Sequence, residues 1–158
     1  MIKLLGSMVV LGVGAWLGFI KKEELASRVK YLQQTENALL YMKNQIEVGS
    51  VPLDRLFAQS EFALFKRAAE YIKLYGVCEG FKKAVLAAEL PAGERAILMD
   101  FAQGLGAQDR EGQLANIRAC TLRIAEIKRA AYEKKARLSG LYAASGILGG
   151  ALVVLIFL

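Results

Sequence analysis

Two runs without a single Asp, Glu, Lys or Arg stand at the ends of the chain, from Leu4 to Ile20 and from Leu141 to Leu158. At seventeen and eighteen residues, they reach the lower end of what crosses a hydrocarbon core about 30 Å thick. The first holds nine Leu, Val, Ile or Phe and the second ten. At about −0.3 to −0.6 kcal/mol for each such residue near the bilayer centre, either run gains on the order of −3 to −6 kcal/mol on insertion. One central Lys or Asp, at about +2.5 to +3.5 kcal/mol, would cancel most of that gain. The sequence therefore predicts transmembrane helices over residues 1–20 and 141–158 and a domain over residues 21–140 between them. The first run does not read as a cleaved signal peptide, because the bulky Ala15-Trp16-Leu17 stands where small residues precede a cleavage site.

Charge sets the expected orientation. Lys3 is the only Lys or Arg outside the segment between the two runs, which carries twenty. Lys21, Lys22, Arg28 and Lys30 flank one span, and Lys128, Arg129, Lys134, Lys135 and Arg137 flank the other. The positive-inside rule then places the central domain in the cytoplasm and both termini outside. The formal net charge of +6 has its source in the same place. Residues 21–109 hold twelve basic and twelve acidic side chains, whereas residues 110–137 hold eight basic and three acidic. Basic residues crowded at a membrane junction read as topology control and attraction to anionic headgroups rather than as a nucleic-acid site. Cys78 and Cys120 stand in no metal-ligand spacing and read as reduced, buried, small hydrophobes.

The central domain reads as all-α, an antiparallel bundle of about six helices. Leu25, Val29, Leu32, Leu39, Met42 and Ile46 recur at helical steps, with no Gly or Pro before Gly49. Gly49-Ser50-Val51-Pro52 marks a turn, with Pro52 in the first turn of the next helix. Short helices are predicted over 52–59, 61–75, 79–89 and 93–105, punctuated by Gly76, Pro91 and Gly106. The last helix starts at Asp109 as N-cap, with Leu114, Ile117, Ile124, Ile127 and Leu138 opposite Arg118, Arg123, Arg129 and Lys135. No segment alternates with the period of a strand.

The chain has no histidine, the commonest general base and transition-metal ligand. Its fifteen carboxylates fall mostly at solvent-facing helical positions. Gly104-Leu105-Gly106-Ala107-Gln108-Asp109 resembles the start of a dinucleotide fingerprint, but Asp109 replaces the third glycine and the stretch follows a helix. No Gly-Lys-Ser/Thr phosphate loop exists. The expectation is a chain that is not an enzyme and takes no cofactor, metal or small-molecule substrate. In the spans, Gly14 and Gly18, Ser145 and Gly149, and Gly146 and Gly150 are each four apart, a spacing that lets helix backbones approach closely in lipid.

Taken in order, several short motifs resemble the stage III sporulation protein AB family of endospore-forming bacteria. They are Lys3-Leu4-Leu5-Gly6, Gly18-Phe19, Ile46-x-x-Gly49-x-x-Pro52-Leu53, Leu105-Gly106-x-x-Asp109-x-x-x-Gln113, Gly140-Leu141-Tyr142 and Gly146-Ile147-Leu148. Gln45 and Gln108 depart from the family's usual acidic residue and serine. The resemblance implies a subunit of a channel-like complex in the mother-cell membrane facing the forespore. It also implies a cytosolic domain similar to the helical domain of the type II secretion platform protein of the F family. Implied partners are the other subunits of that complex, with homo-oligomerisation open, and a separate cytosolic ATPase. The docking surface is expected on the short central helices, with Arg55, Lys66, Lys82, Lys83 and Arg95 as candidates. Two other classes stand beside this reading. A holin-like pore-former would need little between its spans, and a membrane-tethered nucleic-acid binder would need exposed aromatics among its basic residues.

Overall fold

The computed structural model describes the backbone of residues 2–49 and 51–157 and the side chains of residues 23–49 and 51–138. Six helices follow one another: α1 (Ile2–Val48), α2 (Leu53–Gln59), α3 (Ala63–Tyr75), α4 (Val77–Leu86), α5 (Ala92–Gly104) and α6 (Arg110–Phe157). Among the described residues there is no strand. The two predicted spans lie outside the described side chains, as do the domain boundaries after residues 20 and 140 and the small residues Gly14, Gly18, Ser145, Gly146, Gly149 and Gly150. Among the described residues no helix is long and apolar enough to cross a membrane.

The chain divides into two compact units, residues 1–30 with 129–158, and Tyr31–Lys128. Within the first, Leu25, Val29 and Ala131 are buried, and Arg129 pairs with Glu133 one turn on at 3.7 Å. The second unit contains the end of α1, all of α2 to α5 and the start of α6.

In the second unit the predicted stripes turn inward. Leu32, Leu39, Met42 and Ile46 of α1 are buried, as are Phe65, Ala69 and Ile72 of α3 and Ile97, Leu98 and Phe101 of α5. Aromatic rings link five of the helices. Phe57 of α2 lies 4.9 Å from Phe65 of α3 and 5.3 Å from Phe81 of α4. Phe81 also meets Phe101 of α5 at 5.6 Å, and Tyr31 of α1 meets Phe62 at 5.3 Å. Most of these contacts are tilted or edge-on, the arrangement that ring quadrupoles favour. The last helix is turned slightly from its predicted phase. Ile117, Cys120 and Ile124 are buried, whereas Leu114, Ile127 and Leu138 are half-buried.

Helix ends differ from the sequence reading where backbone chemistry intervenes. Pro52 is the N-cap of α2 and stands one residue before the helix, its carbonyl accepting from the N–H groups of Arg55 and Leu56 at 3.1 Å. The third helix starts at Ala63 rather than residue 61, because Ser60 Oγ accepts the Phe62 N–H at 3.2 Å and holds Phe62 extended. The fourth runs from Val77 to Leu86 instead of 79–89. Gly76, at φ +80°, ends α3 and lets the chain reverse at once, a conformation that only glycine adopts without strain. At the other end, Pro91 disfavours helical backbone at Leu90, and α4 stops before it.

Candidate functional site

The two motif segments in the middle of the chain meet at the end of α1 and the start of α6. Asp109 is the N-cap of α6, its Oδ1 accepting the Gly112 N–H at 2.9 Å. The next residue, Arg110, donates from Nε to the Ile46 carbonyl at 3.0 Å and from Nη2 to the Glu47 carbonyl. A guanidinium therefore satisfies the orphan carbonyls of α1, where the helix dipole also favours positive charge. Gln113, buried on α6, donates from Nε2 to the Gly104 carbonyl at 2.9 Å, and Asn116 Nδ2 donates to the Phe101 carbonyl at 2.9 Å. These amides close the end of α5. Gly106 takes φ +75° in the connection and packs near Val77, while Gly49 bonds back to the Gln45 carbonyl at 3.0 Å and Leu53 is half-buried. Asp109, Arg110, Gln113 and Asn116 thus fix helix ends. Asp109→Ala is expected to lower stability by about 1 kcal/mol, read as a small drop in melting temperature with the helical signal retained.

Much of the basic stretch is engaged inside the second unit. Lys128 Nζ meets the Glu36 carboxylate and Gln33 Oε1, the latter at 3.0 Å. Arg118 reaches Glu47 at 3.4 Å, and Arg123 reaches Asp100 at 2.8 Å. With Arg110 these residues bind α6 to α1 and α5. The Arg118 and Arg123 pairs are half-exposed and contribute about 0–1 kcal/mol each; the less exposed Lys128–Glu36 pair fixes the antiparallel register of α1 and α6.

The five candidate docking cations are distributed over α2, α3, α4 and α5. Arg55 and Lys66 are exposed on α2 and α3. Lys82 pairs with Glu79 at 2.7 Å, and Lys83 Nζ lies over the Tyr75 ring at 4.5 Å. Arg95 donates to the Leu90 carbonyl at 3.2 Å.

One carboxylate breaks the expectation that these groups face solvent. Glu94, in the first turn of α5, is only 1% exposed. It is in helical phase with Ile97, Leu98 and Phe101, the signal that places it inward. The dipole at that end favours its charge. Burial first, and the Glu94 carboxylate second, push the Tyr31 phenol up to about 12, so this hydroxyl stays neutral. Its oxygen has no hydrogen-bond partner among the described residues, nor has Gln113 Oε1.

Both cysteines are free thiols, but only Cys120 is fully buried, at 3% exposure; Cys78 is half-buried, not a core residue. Burial pushes the Cys120 thiol up to about 12, with Arg123 pulling weakly the other way. Since the thiolate is the nucleophile, Cys78 is expected to react first with a thiol-specific alkylating agent at neutral pH. Cys120 should react only in denaturant, as mass spectrometry of labelled peptides would resolve. Among the described residues no group of three or more Cys, Asp or Glu could hold a metal ion.

Fold and site together define an all-α bundle whose buried polar groups cap helices and set their register. The chain belongs to the stage III sporulation protein AB family, whose model matches residues 3–158. It is similar to a solved structure of a stage III sporulation protein AB (SpoIIIAB), with 18% identity and a TM-score of 0.59 over 68% of this chain and 94% of that one. At that identity the likeness concerns the fold alone. No match was found among the curated proteins.

Proposed function

We propose that this sporulation protein is a structural membrane subunit of a channel- or secretion-like complex between mother cell and forespore. It is not an enzyme. The runs at residues 4–20 and 141–158 anchor it in the mother-cell membrane as two spans, with both termini external. The domain of residues 21–140 lies in the cytoplasm and docks a separate cytosolic ATPase to the membrane assembly.

The observation that carries this reading is the extent of the family match, residues 3–158, which takes in both uncharged runs and the bundle alike. The roles of the bundle's polar groups support it further. Asp109, Arg110, Gln113 and Asn116 are occupied with helix ends, work suited to holding a shape that another chain recognises. A reporter fused at residue 92 should be cytoplasmic and one after Leu158 external. The full-length protein isolated from sporulating cells should bring the ATPase with it and hydrolyse no nucleotide once that partner is removed. External residue 92, or hydrolysis by the chain alone, would overturn the reading.

A further inference from the structure

The α3–α4 hairpin presents an outward face whose composition is unusual for a solvent-washed surface. Position by position along α3, Arg67, Tyr71, Leu74 and Tyr75 share one edge, and along α4 Glu79, Lys83 and Leu86 share the facing edge. Leu74 is 75% exposed, Tyr75 51% and Leu86 59%. The two edges touch. Lys83 Nζ sits 4.5 Å above the Tyr75 ring, Tyr71 and Tyr75 have ring centroids 6.4 Å apart, and Arg67 Nη1 donates to the Ala87 carbonyl at 3.4 Å. Two tyrosines and an arginine beside exposed apolar surface are the residue types that interface hot spots favour.

Charge narrows the partner. Lys83 and Arg67 have no carboxylate partner among the described residues; one rests on a ring and the other on a carbonyl. On and beside the face Arg67 and Lys83 stand against Glu70 and Glu79, and Lys82 takes up Glu79, so the balance around Tyr75 is positive. Yet those two glutamates, Glu70 and Glu79, are exposed within or beside the face, and only Glu79 is paired, with Lys82. A continuous polyanion such as a lipid headgroup layer or a nucleic-acid backbone would meet both. A folded protein surface can place individual carboxylates opposite Lys83 and Arg67 and leave Glu70 facing a neutral group.

We infer that the Tyr71–Leu74–Tyr75–Lys83 face of the α3–α4 hairpin is the docking surface for an acidic, apolar-centred patch on a partner protein. This rests on the proposed function, under which that partner is the separate ATPase. It also narrows the candidate cations, retaining Lys83 and setting aside Arg55, Lys66, Arg95 and Lys82, which is paired with Glu79. Lys66 lies at the far margin of the exposed arc of α3 from Tyr75, which makes it a matched control.

The test uses the full-length chain in detergent with the purified ATPase as probe. Tyr75→Ala and Lys83→Glu are each expected to weaken binding by about 30-fold, the effect of losing a hot-spot side chain. Lys66→Glu should change it less than about twofold, as a site outside the contact. Binding of the unaltered chain should weaken with added salt, and this dependence should shrink in Lys83→Glu. Circular dichroism melting curves of the variants should overlie that of the unaltered chain, since these side chains are exposed. If the ATPase binds the unaltered chain and both face variants equally well, the surface is wrong and the platform reading stands. If it does not bind the unaltered chain at all, both fall. Binding to phosphatidylglycerol vesicles or to a single-stranded oligonucleotide that these same variants abolish, with ATPase binding untouched, would assign the face to a polyanion and overturn the inference.

Discussion

Full-length chain carrying Phe81→Ala is expected to lose about 4 kcal/mol of stability, the middle of the range for emptying a buried aromatic site. Phe81 has no solvent exposure. Its ring lies 5.3 Å from Phe57, 5.8 Å from Phe65 and 5.6 Å from Phe101, so one truncation empties the point where α2, α3, α4 and α5 converge. The three ring contacts make collapse into the gap difficult, because Phe57 and Phe65 also hold each other edge-on at 4.9 Å. At a urea dependence of about 2 kcal/mol per molar, the unfolding midpoint should fall by about 2 M. Circular dichroism during urea titration reads this directly. Phe81→Leu keeps most of the volume and should cost well under half as much. A shift below about 0.5 M for Phe81→Ala would mean that the rings do not form a shared core.

The sequence discloses this core more readily than its polar fittings. Seven-residue spacings such as Leu32, Leu39 and Ile46 are visible without a structure, because apolar residues bury in proportion to their area whatever their neighbours. The same logic made the all-α class and the six helices legible. Burial of Glu94 and Gln113 was also written in phase, with Ile97 and Ile117 respectively, but residue type argued against it. A carboxylate or amide goes inward only if partners await it. For Gln113 the partner is the Gly104 carbonyl, nine residues back and across a helix connection. No periodicity reveals that. Thr35 is the simpler case, fully buried in phase with Leu32 and Leu39 because its hydroxyl can bond the Tyr31 carbonyl one turn earlier at 3.0 Å.

Surface roles were least legible. Arg110, Arg118, Arg123 and Lys128 read in sequence as a basic approach to a membrane. In the structure each has a partner on α1 or α5, at Ile46 and Glu47, Glu47, Asp100, and Glu36. Which cation meets which carboxylate depends on the antiparallel register of α1 and α6, a long-range quantity. Exposure of a cation on a short helix likewise does not specify which helices face one way. The α3–α4 face emerges only once the reversal at Gly76 places Lys83 over Tyr75.

That face depends on one residue, and the second large effect is expected there. Gly80 sits where α4 crosses α3, and a Cβ added to it would lie 2.5 Å from the Ile72 nitrogen and 2.6 Å from the Ile72 Cα. Both are backbone atoms of α3, so no rotamer change relieves the overlap and the helices must separate. Two terms compete in Gly80→Ala. Helix propensity favours alanine by about 1 kcal/mol, whereas forced separation of a packed pair costs about 3 kcal/mol. The crossing should win, for a net loss of about 2 kcal/mol. Gly80→Val adds two methyl groups against the same backbone and the poorer helix propensity of a β-branched residue, and should lose about 4 kcal/mol or fail to fold. The sign of the alanine result is the decisive measurement, because a stabilised Gly80→Ala chain would mean that α3 and α4 do not touch at this point. A further consequence separates geometry from stability. At a temperature where Gly80→Ala remains folded by circular dichroism, the widened hairpin should carry Lys83 away from the Tyr75 ring, and partner binding should weaken although no side chain of the docking face has been changed.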